Sequence, residues 1–210
     1  MMNYKNNKYR SDVFNIALMG ILMALCLMFK GIFHFLPIVN GYGLSVYISI
    51  YILGIMCIQT HKYKCTFILL TPWVLLLIPG GAVNFWDLLM EYVLPLYVFF
   101  PIIYFPNIIT LLTKKVNGNK NKLIIELVSL TILILILFTI KLVIHIAAGA
   151  IWYTNGNWYA SLVINIEIIY IDFAVCTPIV LLCYPSLKRL INNFYGIEKR
   201  KEDSDTCIQV

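Results

Sequence analysis

The stretch WDLLMEYVLPLYVFFPIIYF, Trp86–Phe105, decides the fold class of this chain. It is long and apolar enough to cross a bilayer, since a spanning helix needs about 20 residues. It nevertheless carries Asp87 and Glu91 near its start. Being four residues apart, these two acids share one face of a helix. An acidic side chain inside a membrane is costly and tends to face a bundle interior or a water-filled cavity, so the pair marks a candidate functional site.

Composition places the whole chain in the same class. Its 210 residues are 61% hydrophobic and only 12% charged, with a mean hydropathy of +0.85, which is far from a soluble domain. The length suits one helical bundle without a second large domain. The six cysteines are scattered, with no Cys-x-x-Cys or Cys/His spacing. The sequence therefore predicts no disulfide framework, no bound metal and no cofactor.

Six apolar segments follow one another along the chain, and they predict an all-α polytopic membrane protein with six transmembrane helices. They are residues 13–35, 43–60, 66–79, 87–113, 123–147 and 160–184. The third is short for a span and has to be tilted, buried or completed by its loops. The fourth contains Pro95, Pro101 and Pro106, which predict a kink or break toward its far end.

Basic residues alternate between the connections of these segments. Fourteen of the sixteen Lys and Arg lie near the termini or in the connections 61–64 and 114–122, and the exceptions are Lys30 and Lys141. The positive-inside rule then predicts a multi-pass plasma-membrane protein whose two termini both lie in the cytoplasm. We expect a basic N-terminus (1–12), a membrane domain (13–185) and a charged tail (186–210). This asymmetry explains the net charge of +6, so the charge is not interpreted as nucleic-acid binding. The first apolar run lacks a signal-peptide cleavage site, which favours a retained first helix.

Polar and aromatic residues gather at the outer ends of helices four to six in this topology. A carboxylate beside aromatic rings is typical of a pocket for a small, partly aromatic cation. The candidate residues are Asp87, Glu91, Tyr92, Lys141, His145, Trp152, Tyr153, Trp158, Tyr159, Ser161 and Asn165.

Simpler interpretations stand beside this one. Tryptophans at a membrane interface form an aromatic belt without any ligand. Lys141 is more readily explained as snorkelling, or as pairing with Asp87, Glu91 or Glu167, than as a ligand contact. Asp172 lies two turns deeper than Asn165 and is interpreted as part of an internal polar network. The tyrosines at 47, 51, 97, 104 and 170 are interpreted as packing.

Catalytic motifs are missing from the sequence. It contains no GxxxxGK[ST] phosphate loop, no HExxH metal motif and no Gly-x-Ser-x-Gly nucleophile elbow. We therefore expect a binding protein or a transporter subunit rather than an enzyme. A secondary transporter that works alone is less favoured, because no internal repeat is evident.

Three short motifs follow one another along the chain: Glu91-Tyr92 in WDLLMEYVLPLY, His145 and Gly149 followed by an aromatic in HIAAGAIWY, and Ser161 with Asn165 in WYASLVINIEIIYIDF. Their order resembles the thiamine-specific S component of energy-coupling-factor (ECF) vitamin transporters. The resemblance covers roughly residues 73–185. It implies a substrate-binding subunit that captures thiamine on the outer side. It also implies a transmembrane coupling subunit and two cytoplasmic ATPases as partners.

The resemblance assigns ligand contacts to Glu91, Tyr92, His145 and Asn165, with Trp152 or Tyr153 as the stacking ring. This chain departs from the family where two tyrosines of the sixth-helix motif are replaced by Ala160 and Ile164, and where the Gly-Gly-Ser-like segment is only NGYGLS (40–45). A different vitamin is therefore an alternative ligand. An intramembrane enzyme using Glu91 and His145, or an assembly protein without a small ligand, is the third alternative.

The first helix carries small residues at a regular spacing. Gly20-x-x-x-Ala24, preceded by Ala17, permits close approach of another helix. In the resembled family, small residues on this helix meet the coupling subunit. Packing inside the bundle is the competing interpretation.

Overall fold

The computed structural model describes residues 2–34, 44–58, 60–78, 84–114, 116 and 118–207, with the side chains of 2–11, 34, 119 and 191–207 left aside. Throughout these residues the regular structure is helical and no strand occurs, as the sequence predicted. The basic N-terminal residues, the connections 36–43 and 80–83 and most of the charged tail lie outside the described side chains. The helices are α1 (Met2–His34), α2 (Tyr47–Cys57), α3 (His61–Leu75), α4 (Phe85–Leu88), α5 (Leu94–Tyr97), α6 (Phe105–Thr113), α7 (Asn119–Trp152) and α8 (Trp158–Cys207).

Four helical stretches are long and apolar enough to cross a membrane, which supports a membrane-embedded protein. They are Asp12–Phe33, Phe85–Thr113, Lys120–Trp152 and Trp158–Leu190. Their outward faces are apolar: Leu111 and Leu182, for example, are 76% and 78% exposed. Such a surface is unfavourable in water, whereas the lipid chains of a membrane can cover it. With 11 residues, α2 extends about 17 Å, short of the roughly 30 Å hydrocarbon core.

The stretch Phe85–Thr113, which we call the fourth segment, is broken by its prolines as predicted. A π turn at Leu89–Val93 separates α4 from α5, and a 3₁₀ turn at Phe100–Tyr104 separates α5 from α6. Proline has no N–H, so Pro95 cannot donate to the carbonyl of Glu91 four residues earlier. The helix widens there, since the N–H of Leu94 bonds to the carbonyl of Leu89, five residues earlier, as in a π-helix. The first break in the helix of the fourth segment therefore lies at Glu91, near its start. It comes in addition to the break that the sequence predicted toward the far end.

The bundle packs around α2, whose residues Ile48, Tyr51, Ile52 and Ile55 are fully buried. This helix contacts α1, α3 and α8. Beside it, α7 and α8 pack together along their length. Away from the turn that connects α7 and α8, the two helices are joined by an ion pair between Lys188 and Glu126.

Three helices extend beyond the apolar segments that the sequence defined. α1 begins at Met2, α7 runs from Asn119 to Trp152, and α8 continues to Cys207. Hydropathy marks only the apolar part of a helix. Lys, Arg and Glu are good helix formers, so they prolong helices past the point where hydrophobicity ends.

Candidate functional site

A cavity of about 380 Å³ lies at the end of the bundle that holds the α7–α8 turn. This size falls within the range of small-molecule pockets. Side chains from α1, α2, the fourth segment, α7 and α8 converge on it. Its polar lining comes from Lys30, Ser45, Tyr47, Glu91, Tyr92, Lys141, His145, Tyr153, Thr154, Ser161, Asn165 and Asp172.

The π turn brings two consecutive residues, Glu91 and Tyr92, to the cavity wall. Neighbours on an ordinary α-helix point about 100° apart, and the wider π turn occurs frequently at functional sites. Within the described part of the chain, the Glu91 carboxylate accepts no hydrogen bond and forms no ion pair. It is the charged group of the cavity that is open to a ligand.

Tyr153 follows α7 directly and is held at the cavity by the turn that it begins. The backbone N–H groups of Tyr153 and Thr154 both bond to the carbonyl of Gly149, and Gly156 closes the turn with φ of 83°. The Tyr153 hydroxyl donates to Asp87 Oδ2 at 2.6 Å. Desolvation of the hydroxyl and this hydrogen bond raise the pKa of Tyr153 far above its ordinary value. The Tyr153 hydroxyl therefore keeps its proton and can donate it in the hydrogen bond to Asp87.

On α7, Lys141 and His145 lie one turn apart and both line the cavity. Lys141 forms a buried ion pair with Asp172 of α8, with Nζ 3.1 Å from Oδ2. This corrects the expectation of a partner among Asp87, Glu91 and Glu167, whereas the assignment of Asp172 to an internal polar network is confirmed. The Nε2 atom of His145 is buried and has no hydrogen-bond partner among the described residues.

Close approach of α7 and α8 positions the amide of the site. A Cβ at Gly149 would overlap the Ser161 hydroxyl and come within 3.0 Å of Asn165 Nδ2. The Ser161 hydroxyl donates to the carbonyl of Ile146 at 2.8 Å, and the Asn165 amide donates to Ser161. Glycine at 149 is therefore needed for this geometry, and Ser161 acts as a support for Asn165.

Lys30 and Tyr47 also line the cavity, although the sequence did not predict either as a site residue. The Lys30 ammonium donates to the carbonyls of Leu75 at 2.6 Å and Ile78 at 3.3 Å. It also lies 5.2 Å from the centre of the Tyr92 ring. The one available signal was its charge inside an apolar segment. Tyr47, interpreted as packing, belongs to the wall.

Several predicted site residues do not line the cavity. Trp158 and Tyr159 are 57% and 76% exposed at the start of α8. Trp152 is half-buried beside the turn, so Tyr153 is the aromatic that the structure brings to the site. Asp87 is fully buried and serves as the acceptor for Tyr153.

The small residues of α1 lie on the exposed surface of the bundle and do not line the cavity. Ala17, Gly20 and Ala24 are all exposed, and a Cβ at Gly20 would meet no atom within 4 Å. They are therefore not used in packing among the described helices.

No family model, curated protein or solved structure matches the chain. The site is thus defined by its own chemistry. It offers one open carboxylate, one imidazole nitrogen, one amide and three tyrosine rings, an arrangement suited to a planar cationic molecule. Among the residues that the structure describes, no cluster of His, Cys, Asp and Glu is suited to a metal ion.

Proposed function

We propose that the chain is the substrate-binding S component of an ECF-type vitamin transporter and binds thiamine or a thiamine-like cation. One observation carries the proposal: the Glu91 carboxylate has no partner among the described residues and faces a cavity of about 380 Å³ beside Tyr92, Tyr153 and His145. Burying an acid within the membrane is costly. A cationic ligand that neutralises it accounts for its presence.

The energetics of such a site favour a cationic heteroaromatic ring. A cation over an aromatic face contributes about 0.5–2 kcal/mol. A charge-assisted hydrogen bond to a carboxylate contributes about 1.5–3 kcal/mol. His145 Nε2 and the Asn165 amide add directional contacts that select one ligand orientation.

The proposal includes a particular topology. The four long apolar helices, together with the shorter α2 and α3 completed by the residues that flank them, would make six spans in the plasma membrane with both termini in the cytoplasm. This rests on the distribution of Lys and Arg. The cavity then opens outward, where a vitamin is captured.

As an S component, the chain has no catalytic step of its own. Its partners are a transmembrane coupling subunit, two cytoplasmic ATPases and the surrounding lipid. The exposed small residues Ala17, Gly20 and Ala24 support a contact between α1 and the coupling subunit, because lipid alone does not require this spacing.

A different vitamin is the second candidate ligand, and one residue favours it. Ile164 lines the cavity where the resembled motif carries a tyrosine. An aliphatic side chain there leaves more room and removes a hydroxyl. The third candidate, an intramembrane enzyme or an assembly protein without a small ligand, has no specific observation in its favour.

The test is to identify what the protein binds. Native mass spectrometry of the purified protein reveals a co-purified ligand, and calorimetric titration with thiamine and other vitamins ranks them. We expect thiamine or a related cation to bind and neutral or anionic vitamins to bind much more weakly. Tight binding of an anionic vitamin, or of none, contradicts the proposal.

A further inference from the structure

Asp172 occupies an unusual place in the wall of the cavity. It is 1% exposed and accepts hydrogen bonds from Lys141 Nζ at 3.1 Å and from the backbone N–H of Ser45 at 2.8 Å. Lys141 is also buried, with 4% of its surface exposed. A buried ion pair is weak evidence for stability, because apolar residues of similar size often serve as well. The pair therefore calls for an explanation beyond packing.

The charged groups of the cavity differ in whether they already have a hydrogen-bond or ion-pair partner within the protein. Four line it: Lys30, Lys141, Glu91 and Asp172. Lys30 donates to two backbone carbonyls of the α3 end, and Lys141 is paired with Asp172. Within the described part of the chain, only Glu91 has neither an ion pair nor a hydrogen bond. The formal charges cancel, and the backbone carbonyls do not neutralise Lys30, but Glu91 is the anion that is left open to direct contact with a ligand.

We propose that Asp172 is a positioning residue that holds and neutralises Lys141, and so makes the cavity selective for cations. The inference rests on the proposed function for the identity of the ligand. Without the charge of Asp172, the Lys141 ammonium would stand alone one turn from His145. In a low-dielectric cavity a single charge dominates the local field. The ammonium would then repel a cationic ligand and attract Glu91 or an anionic molecule.

The charge preference of the cavity is measurable without knowing its ligand. Ile164→Cys places a thiol in the wall, and cationic and anionic methanethiosulfonate reagents of similar size then compete for it. Peptide mass spectrometry follows residue 164 separately from the native cysteines. We expect the cationic reagent to be preferred. Adding Asp172→Asn should shift the ratio of the two rates toward the anionic reagent by about tenfold or more.

Two further backgrounds make the test specific. Lys141→Met with Asp172→Asn removes both charges, and the ratio should return toward that of Ile164→Cys alone. Lys141→Met by itself leaves Asp172 charged, so the ratio should move the opposite way. Glu126→Gln is the matched control. It breaks the ion pair with Lys188 about 22 Å along α7 from Lys141, and it should leave the ratio unchanged.

The outcomes separate the inference from the proposed function. An unchanged ratio in Asp172→Asn, or a shift that Lys141→Met fails to reverse, overturns the role of Asp172 whatever the ligand is. Calorimetry with thiamine is read independently. In Asp172→Asn, thiamine should bind about tenfold or more weakly, and an uncharged isostere much less so. Absence of thiamine binding by the unmutated protein contradicts the proposed ligand, while the reagent ratio still decides the inference.

Discussion

The Tyr153 hydroxyl donates a 2.6 Å hydrogen bond to Oδ2 of Asp87, and this bond joins the α7–α8 turn to the beginning of the fourth segment. Asp87 is fully buried. Its backbone N–H is bonded to the side chain of Asn84, which caps α4. The bond therefore fixes two walls of the cavity relative to each other before any ligand arrives.

Tyr153→Phe should lower the free energy of unfolding by about 1–3 kcal/mol, because it removes a donor from a buried carboxylate. Thermal unfolding in detergent measures the effect. Tyr159→Phe is the control, since the Tyr159 side chain is 76% exposed at the start of α8. Equal midpoints for the two variants would show that the Tyr153 bond contributes nothing to stability.

Glu91→Gln should weaken a cationic ligand about tenfold or more, since it keeps the shape of the side chain and removes its charge. Calorimetric titration with thiamine and with an uncharged isostere separates charge from shape, and the isostere should lose much less. Glu167→Gln changes an exposed acid outside the cavity and should leave both affinities unaltered. Equal losses for the two ligands would count against a cation at Glu91.

The stacking ring is expected to be Tyr153 and not Trp152, because Tyr153 lines the cavity and Trp152 does not. Tyr153→Ala should weaken thiamine binding by about 0.5–2 kcal/mol through the lost cation–π contact, whereas Trp152→Ala should change it little. Tyr153→Phe retains the ring and should bind more tightly than Tyr153→Ala. The reverse ranking of the Tyr153 and Trp152 alanine variants would assign the stacking role to Trp152.

Gly149→Ala should destabilise the bundle by about 1–3 kcal/mol, because the added methyl overlaps Ser161 and displaces Asn165. Thiamine affinity should fall in parallel, since Asn165 lines the cavity. Gly20→Ala is the matched control in a helix: nothing lies within 4 Å of its added methyl, so helix propensity should stabilise it by up to about 1 kcal/mol. Similar unfolding midpoints for both variants would contradict the close approach at Gly149.

Gly20→Leu combined with Ala24→Leu should abolish vitamin uptake in cells while leaving ligand binding nearly intact. Both residues are exposed on α1, so larger side chains fit the isolated subunit but block a neighbouring helix. Ile136→Trp, at an exposed position of α7, is the control and should preserve uptake. If binding is lost together with uptake, the face is needed by the bundle itself.

Much of the fold follows from the sequence because lipid imposes simple requirements. Long apolar runs become helices, and prolines interrupt them. The sequence did not predict that Pro95 produces a π turn rather than a kink. Both relieve the missing N–H, and the packing of neighbouring helices decides between them.

The site was predictable where its residues lie on the fourth segment, α7 and α8. Glu91, Tyr92, His145 and Asn165 converge as expected because their depths match. Lys30 and Tyr47 were missed, since pairing of α1 and α2 with the other helices depends on tertiary packing. The Lys141 partner was misassigned for a related reason. The relative register of α7 and α8 is set at Gly149, and a count of nearby acids does not reveal it.

The position of Lys30 has a mechanical consequence. Its ammonium joins α1 to the end of α3 and lies over Tyr92, so three structural elements meet at this side chain. Under the proposed function, a cation bound to the Tyr92 ring would compete with Lys30 for the same aromatic face. α1 is continuous from Ala17 to Lys30, a distance of about 20 Å, so a tilt of the helix at Lys30 would also move Ala17. Binding in the cavity would then be transmitted to the exposed face that carries the small residues.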